Sequence, residues 1–193
     1  MGKKLTYEEI NKITDDIVSF DMKEADTEMF LKYVTPLPSG SKVVELGTGQ
    51  AKNTVRIALS NPEVEVWTWD WGHGNPDTFP APYFKMITDR LREKNVANVY
   101  FSVNDSDKAW SDWDWPIDIL YIDASHQYEE TLKDLARWEP FVKQGGYIFI
   151  HDYEYNVPNY KFAGMRKAVQ EYCTTDKFEF LEYVGGIQVI KKL

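Results

Sequence analysis

Apolar residues recur at helical spacing near the start of the chain, with Tyr7, Ile10, Ile13, Ile17 and Phe20 in residues 7–20 and Met29, Phe30, Tyr33 and Val34 in residues 25–34. Each set lines one side of an amphipathic helix, so the spacing predicts two helices packed on a larger body. Pro36, Pro38 and Gly40 break the pattern, after which Val43, Val44 and Leu46 run into Gly47-Thr48-Gly49, a buried strand that ends in a tight turn. A helix over 52–60 stops before Asn61-Pro62, and residues 64–70 carry the β-branched and aromatic content of a strand. Residues 82–94 read as helix, 99–103 as strand, 117–122 as buried strand, 127–142 as helix, 147–150 as strand and 160–172 as helix. Two final strands, 178–184 and 187–190, flank Gly185-Gly186, a hairpin signal.

Strands that alternate with helices predict an α/β fold with a doubly wound, mostly parallel seven-stranded sheet, to which the C-terminal hairpin adds antiparallel members. At 193 residues, one domain is expected. Its parts are an N-terminal helical segment, 1–38, and a ligand-binding core, 41–193.

Ligands of such sheets bind outside the carboxyl ends of the strands. Strand one ends in Glu45-Leu46-Gly47-Thr48-Gly49, strand two in Asp70, strand three in Asn104-Asp105, strand four in Asp123-Ala124-Ser125-His126 and strand five in His151-Asp152. One such carboxylate is ordinarily a solvated loop residue; acids after every parallel strand form a pattern. The turn lacks the third glycine of a dinucleotide-binding loop, because Lys52 stands there, and it lacks the Gly-Lys-Ser/Thr of a phosphate loop. Glu45 suits a cationic ligand group and repels a pyrophosphate. Asp70 follows the turn at roughly the twenty-residue separation from which a carboxylate reaches a ribose diol. Together these residues describe a pocket for a positively charged nucleoside, with Trp71 placed to stack on its adenine or ribose.

With those residues in view, positions 41–193 resemble the class I S-adenosylmethionine-dependent methyltransferases. Within that superfamily the stretch from Tyr121 to Tyr153 is similar to the small-molecule O-methyltransferases of the macrocin O-methyltransferase and cephalosporin hydroxylase-like group. The carriers are Ile122-Asp123-Ala124-Ser125-His126-x-Tyr128, Asp134-Leu135, Gly145-Gly146 and His151-Asp152. The resemblance implies S-adenosylmethionine as cofactor. Glu45, Gly47, Thr48 and Gly49 would hold its methionine part, Asp70 the ribose, Asn104 and Asp105 the adenine edge, with Asp123 closing the pocket. Ala51 departs from the pattern, since many relatives have glycine there.

The same resemblance implies a divalent cation on Asp123, His151 and Asp152. Carboxylate oxygens suit Mg²⁺, whereas a histidine ligand shifts the preference toward Mn²⁺, Fe²⁺ or Zn²⁺. His126 is the expected general base and Asp123 its catalytic partner, since an imidazole titrates near neutral pH. The competing reading makes His126 a capping residue or one that orients Asp123. His151 has an inward-facing structural alternative, and His73 reads as a plain loop residue.

Charge and composition narrow the partners. With 31 acidic against 22 basic residues the net charge is −9, which disfavours nucleic acid. The lone Cys173 makes no disulfide or zinc site, and no apolar run approaches a membrane span, so a cytoplasmic protein is expected. Six of seven tryptophans fall between positions 67 and 115. Trp67 and Trp69 read as core, and Trp110, Trp113 and Trp115 as core or as a wall of the cofactor pocket. Loop 72–83 is a candidate lid, with Tyr153, Tyr155 and Tyr160 lining the far side. The expected activity is O-methylation of a small hydroxylated molecule, a sugar or natural-product intermediate. Acceptor specificity would come from the N-terminal helices, these loops or a neighbouring subunit of a homo-oligomer. The alternatives are a non-catalytic adenosyl-cofactor-binding or regulatory protein and, less favoured by Glu45 and Lys52, a nicotinamide-dependent oxidoreductase.

Overall fold

Thr6 opens the first helix with a capping box: its hydroxyl accepts from the Glu9 amide at 3.3 Å while the Glu9 carboxylate accepts from the Thr6 amide at 2.9 Å. The structure, a computed structural model, describes residues 4–18, 23–72, 81–104, 106–154 and 164–193. Helix α1 spans Tyr7–Thr14, shorter than its apolar spacing predicts. Asp15 and Asp16 come after it and oppose the dipole at its carboxyl end. Ile17 is nevertheless buried beyond the helix. Helix α2 spans Asp26–Tyr33.

The next elements keep the expected alternation: β1 Lys42–Leu46, α3 Lys52–Ser60, β2 Glu65–Asp70, α4 Ala81–Glu93 and β3 Val99–Val103. A short helix α5, Ser106–Ala109, and a 3-10 turn, Trp110–Asp112, were not signalled by the pattern; both are too short to show a period. Strand β4, Ile117–Ile122, is followed by α6, Tyr128–Trp138, and a 3-10 turn, Glu139–Phe141. The α-helix ends there because Pro140 has no amide to continue it. Strand β5, Val142–His151, begins five residues before the expected start, in a polar stretch where Gly146 lets β4 come close: a Cβ there would meet the Asp118 carbonyl at 3.0 Å. Helix α7, Met165–Tyr172, and the hairpin strands β6, Phe178–Val184, and β7, Ile187–Lys192, complete the chain.

The seven strands lie in the order β3-β2-β1-β4-β5-β7-β6. Strands β1 to β5 are parallel, β7 is antiparallel to β5, and β6 is antiparallel to β7. Alternate residues of each strand feed opposite faces. Val44, Leu46, Leu120, Ile122, Ile148 and Ile150 pack on α6 and α7, and Val43, Val66, Ile119, Tyr121 and Phe149 pack on α2 and α3. The strand order reverses between β1 and β4, so the crevice expected to hold a ligand opens beside Gly47 and Asp123. Among the described residues no helix is long and apolar enough to cross a membrane.

Candidate active site

The glycine turn after β1 is shaped by its neighbours. Gly47 has φ +96°, and a Cβ there would lie 2.1 Å from the Asp123 carbonyl oxygen. The same two strands are tied where the Asp123 amide donates to the Leu46 carbonyl at 2.8 Å. Gly47 is thus demanded by β4 rather than by a ligand. Gly49, at φ +52°, has open space where its Cβ would be, so the turn leaves room there. Ala51 adopts φ 62°, the conformation a glycine would favour, and its methyl is fully buried against Val55, Ile87 and Leu91. It therefore occupies the core and not the crevice.

Asp70 clasps this turn from β2. Its carboxylate accepts from the Gly49 amide at 2.8 Å and the Gly72 amide at 2.6 Å. The Asn104 amide donates to the Asp70 carbonyl at 2.9 Å, joining the ends of β2 and β3. Helix α4 holds the turn from outside: Tyr83 Oη donates to the Gly49 carbonyl at 2.6 Å, and Arg90 Nη1 to the Gln50 carbonyl at 2.6 Å. Burial, then the Asp70 charge, pushes the Tyr83 phenol far up, so it stays a donor. Neither Tyr83 nor Arg90 was singled out in the sequence, because each lies over thirty residues from its partner.

Glu45 is 1% exposed, and its Oε2 accepts from Thr54 Oγ1 at 2.6 Å and Thr68 Oγ1 at 2.7 Å. Thr48 Oγ1 lies 2.6 Å from Thr68 Oγ1, so it supports this carboxyl at one remove. Burial pushes the Glu45 pKa up to about 8 against the two hydroxyls, with Asp123 and Asp70 adding to the rise. Near neutral pH the group is largely a neutral acid, and a cation beside it would draw the proton off.

Across the crevice, Asp123, His126 and Asp152 form one group, each offering a ligand atom within 4.8 Å of the others. His126 Nε2 lies 3.4 Å from Asp152 Oδ2 and 3.8 Å from Asp123 Oδ1. Asp152 is held at φ 55°, a strained conformation for a residue with a side chain and one typical of functional turns. Donor atoms sharing an ion at about 2.0–2.2 Å stand roughly 3–4 Å apart, so this mixed set of two carboxylates and an imidazole fits a divalent cation.

His151 takes a different position from the expected one. It is 1% exposed beneath the group, with Nδ1 3.3 Å from Asp123 Oδ1 and 3.4 Å from Asp152 Oδ2, and Nε2 3.4 Å from Asp26 Oδ2. Neither nitrogen makes an aligned hydrogen bond, so these are ion-pair contacts. Burial works against a charge on His151, but Asp123, Asp152 and Asp26 outweigh it and hold its pKa well above the ordinary value. His126, not His151, is the histidine that joins Asp123 and Asp152 in the group. Asp152 in turn is held well below the usual carboxylate range, burial being outweighed by His126 and His151.

The remaining expectations divide. Trp71 is 65% exposed at the mouth of the crevice. Trp113 is core, edge-on to Trp69 and Trp67, and Trp115 lies under Lys42 at the opposite end of the sheet, so these two do not wall the pocket. Tyr153 is 4% exposed and packs in the core near Phe180, so it lines no acceptor site. Asp105, His73, Tyr155, Tyr160 and most of loop 72–83 lie outside the described residues. Asp134 accepts from Ser106 Oγ at 2.8 Å and Leu135 is core, so that pair of the Tyr121–Tyr153 stretch serves the fold.

A family model described as a methyltransferase domain matches residues 13–153. Among solved structures, the chain is similar to a protein described as a candidate rRNA methylase from Clostridium thermocellum, at 16% identity and TM-score 0.66, covering 90% of this chain and 100% of that one. It is similar to a candidate caffeoyl-CoA O-methyltransferase from Staphylococcus aureus, at 15% identity and TM-score 0.69, covering 98% and 93%. A candidate methyltransferase from Streptococcus mutans, solved in complex with SAH, shares 14% identity at TM-score 0.62, covering 91% and 99%. At these identities the likeness is one of fold. An uncharacterized protein of Acanthamoeba polyphaga mimivirus is 45% identical over 38 residues, which span 20% of this chain and 17% of that protein.

Proposed function

The chain belongs to the methyltransferase-domain family and has the class I fold, and from that premise we propose that it transfers a methyl group from S-adenosylmethionine to an oxygen of a small hydroxylated acceptor. The observation that carries this reading is the Asp123, His126 and Asp152 group facing the glycine turn across the crevice. The SAH complex of the Streptococcus mutans neighbour, on the same fold, supports the choice of cofactor.

S-adenosylmethionine, when bound, supplies a methyl on a sulfonium that is already an activated leaving group. What this chain must do is bind, align, take a proton and exclude water. The open space at Gly49 and the carboxyl of Glu45, on the strand that leads into this turn, suit the methionine end, with its cationic amino group. The Asp70 carboxylate keeps accepting capacity beyond its two amide donors for a ribose diol. Trp71 offers its exposed ring to the adenine.

At the acceptor, we assign proton removal to His126, with the Asp152 carboxylate 3.4 Å from its Nε2 to stabilise the resulting imidazolium. Asp123, His126 and Asp152 are also the residues that would hold Mg²⁺ or Mn²⁺, whose charge lowers a bound hydroxyl's pKa. A metal ligand and a free base are exclusive uses of the His126 ring, so metal dependence decides between them. The −9 net charge and the carboxylates lining this crevice favour a small neutral or cationic acceptor over the RNA named for one neighbour. The subgroup resemblance to small-molecule O-methyltransferases points the same way.

Calorimetric titration with S-adenosylmethionine and S-adenosylhomocysteine tests the reading, with NAD as control and Mg²⁺ or Mn²⁺ present or absent. Saturable binding of both adenosyl ligands and none of NAD is expected; no adenosyl binding sinks the cofactor assignment. Binding without methylation across a broad panel of hydroxylated acceptors would instead favour the adenosyl-binding, non-catalytic reading.

A further inference from the structure

Asp123 has both carboxylate oxygens held from below, and both holds lead to one short stretch of the N-terminal segment. On the first limb, Oδ1 faces His151 Nδ1 at 3.3 Å, and the opposite ring nitrogen faces Asp26 Oδ2 at 3.4 Å. On the second, Oδ2 accepts from Tyr121 Oη at 3.2 Å, and that oxygen accepts from Asn53 Nδ2 at 2.8 Å. Asn53 Oδ1 accepts from Arg56 Nη1 at 3.1 Å, which also donates to the Lys23 carbonyl at 2.9 Å. The Lys23 amide donates to Asp26 Oδ2 at 3.0 Å, closing the ring.

We propose that Asp26 is a positioning residue for the Asp123 carboxylate, acting through His151 and locking the N-terminal segment to the site. The inference rests on the site reading above, since Asp123 is taken there to hold an ion or the acceptor. Asp26 is fully buried, and the Gly186 amide donates to its Oδ1 at 3.0 Å. Two backbone amides would suffice for a carboxylate that only closes a turn. The third contact places it on the far nitrogen of His151, so the imidazole is gripped between carboxylates at both ends and cannot turn away from Asp123. The hairpin tip enforces this: a Cβ on Gly185 would lie 2.2 Å from Asp26 Oδ1, and one on Gly186 would lie 3.1 Å from His151 Nε2. Asp26 thus stands behind the site as an outer-shell acid stands behind a metal-binding histidine, but it reaches the Asp123 carboxylate through the His151 ring.

The test compares the wild-type chain with Asp26→Asn and Gly186→Ala by crystallography and by Mn²⁺ titration followed by electron paramagnetic resonance. Glu182→Gln is the control, because it loosens the contact of Lys32 and Tyr33 with the hairpin and leaves the ring untouched. In Asp26→Asn, His151 and the Asp123 carboxylate are expected to shift together, and the Mn²⁺ dissociation constant to rise about tenfold or more. The control should lose melting temperature and keep its Mn²⁺ affinity. An Asp26→Asn crystal with His151 and Asp123 unmoved overturns the proposal, whatever its melting temperature, and so does an equal loss of Mn²⁺ affinity in the control. Should Asp26→Asn fail to fold, Gly186→Ala, which presses a methyl on His151 without changing charge, is read the same way. There, a displaced His151 beside an undisplaced Asp123 overturns it. A wild-type chain that ignores Mn²⁺ removes the metal reading alone, and the crystallographic comparison still decides the role of Asp26.

Discussion

The two sides of the crevice satisfy their carboxylates by different means. On the glycine-turn side, Glu45 rests on the hydroxyls of Thr54 and Thr68 and Asp70 on the amides of Gly49 and Gly72, all neutral donors. On the other side, Asp123 and Asp152 face the imidazoles of His126 and His151. Among the described residues, carboxyls on the first side have no positive group of the protein against them and leave that place to a cationic ligand group; carboxylates on the second side already face imidazoles. A sulfonium cofactor therefore suits the first side, and proton removal from an acceptor suits the second. The division of labour comes from what each carboxylate touches.

The sides meet where Gly47 abuts the Asp123 carbonyl, and breaking that joint should have the largest effect. In Gly47→Ala the new methyl would lie 2.1 Å from a backbone oxygen, at a φ of +96°. Strain and overpacking together should cost about 3 kcal/mol or more. For a chain of this size that lowers the melting temperature by roughly 6–12 °C, readable by circular dichroism. Gly49→Ala, whose methyl enters open space, should cost less stability and more cofactor affinity. Equal melting temperatures for the two variants would show that β1 and β4 are not locked at this point.

Asp70→Ala sharpens the comparison by touching one side only. It removes the acceptor of two amides and the proposed ribose ligand, so S-adenosylhomocysteine affinity should fall about tenfold to a hundredfold, a loss of about 1.4–2.8 kcal/mol. Mn²⁺ binding at Asp123, His126 and Asp152 should hardly change. Unaltered calorimetric affinity would mean that the ribose lies elsewhere.

The comparison also explains what the sequence disclosed. Strand ends are local features, so Glu45, Asp70, Asn104, Asp123 and Asp152 were all legible as the polar residues that close each apolar run. Asp26, Arg56, Asn53 and Tyr83 were not, because their meaning comes from partners far along the chain. Asp26 is one acid among several at the start of an amphipathic segment and Arg56 one charge on a helix, with nothing local to mark either. Only the packing of α2 and α3 on one sheet face, with the hairpin folded over them, turns both into buried partners of the site. His151, open in the sequence between a ligand and an inward-facing residue, is a related case. The dipeptide His151-Asp152 does not reveal that backbone at φ 55° carries Asp152 toward His126 while the strand keeps His151 inside.

Glu45 offers a pH signature of the glycine-turn side. Its carboxyl ionises near 4.5 in the unfolded chain and at about 8 in the folded protein. Below the lower value both states are protonated and the group is silent. As pH rises toward the upper value the unfolded chain loses its proton first, so folding stability falls across this window and levels off above it. Glu45→Gln should remove that slope, an effect on the order of a few kcal/mol between the ends of the window. Melting temperature against pH, in wild type and variant, reads it directly, and parallel curves would show that Glu45 is ionised when buried. A cationic group beside Glu45 should also expel its proton, so S-adenosylhomocysteine, through its α-ammonium group, is expected to release protons on binding near pH 7 in wild type and fewer in the variant. Calorimetry in two buffers of different ionisation enthalpy measures that release.

The smallest expected effect belongs to Trp71, which borders the glycine-turn side without closing it. The ring is 65% exposed, so replacing it with alanine removes little that the fold needs. If it stacks on the adenine, Trp71→Ala should weaken S-adenosylhomocysteine by about fivefold, near 1 kcal/mol, and leave the melting temperature of the free protein within about a degree. Trp71→Phe should recover most of the loss, because a smaller ring still presents a face. Adenosine alone should feel the substitution as strongly as the whole cofactor does if, as proposed, the methionine end lies toward Gly49 and Glu45. If adenosine binding is indifferent to the ring while the full ligand is not, the aromatic contact is with the other end of the cofactor, and the orientation assigned to it along the crevice must be reversed.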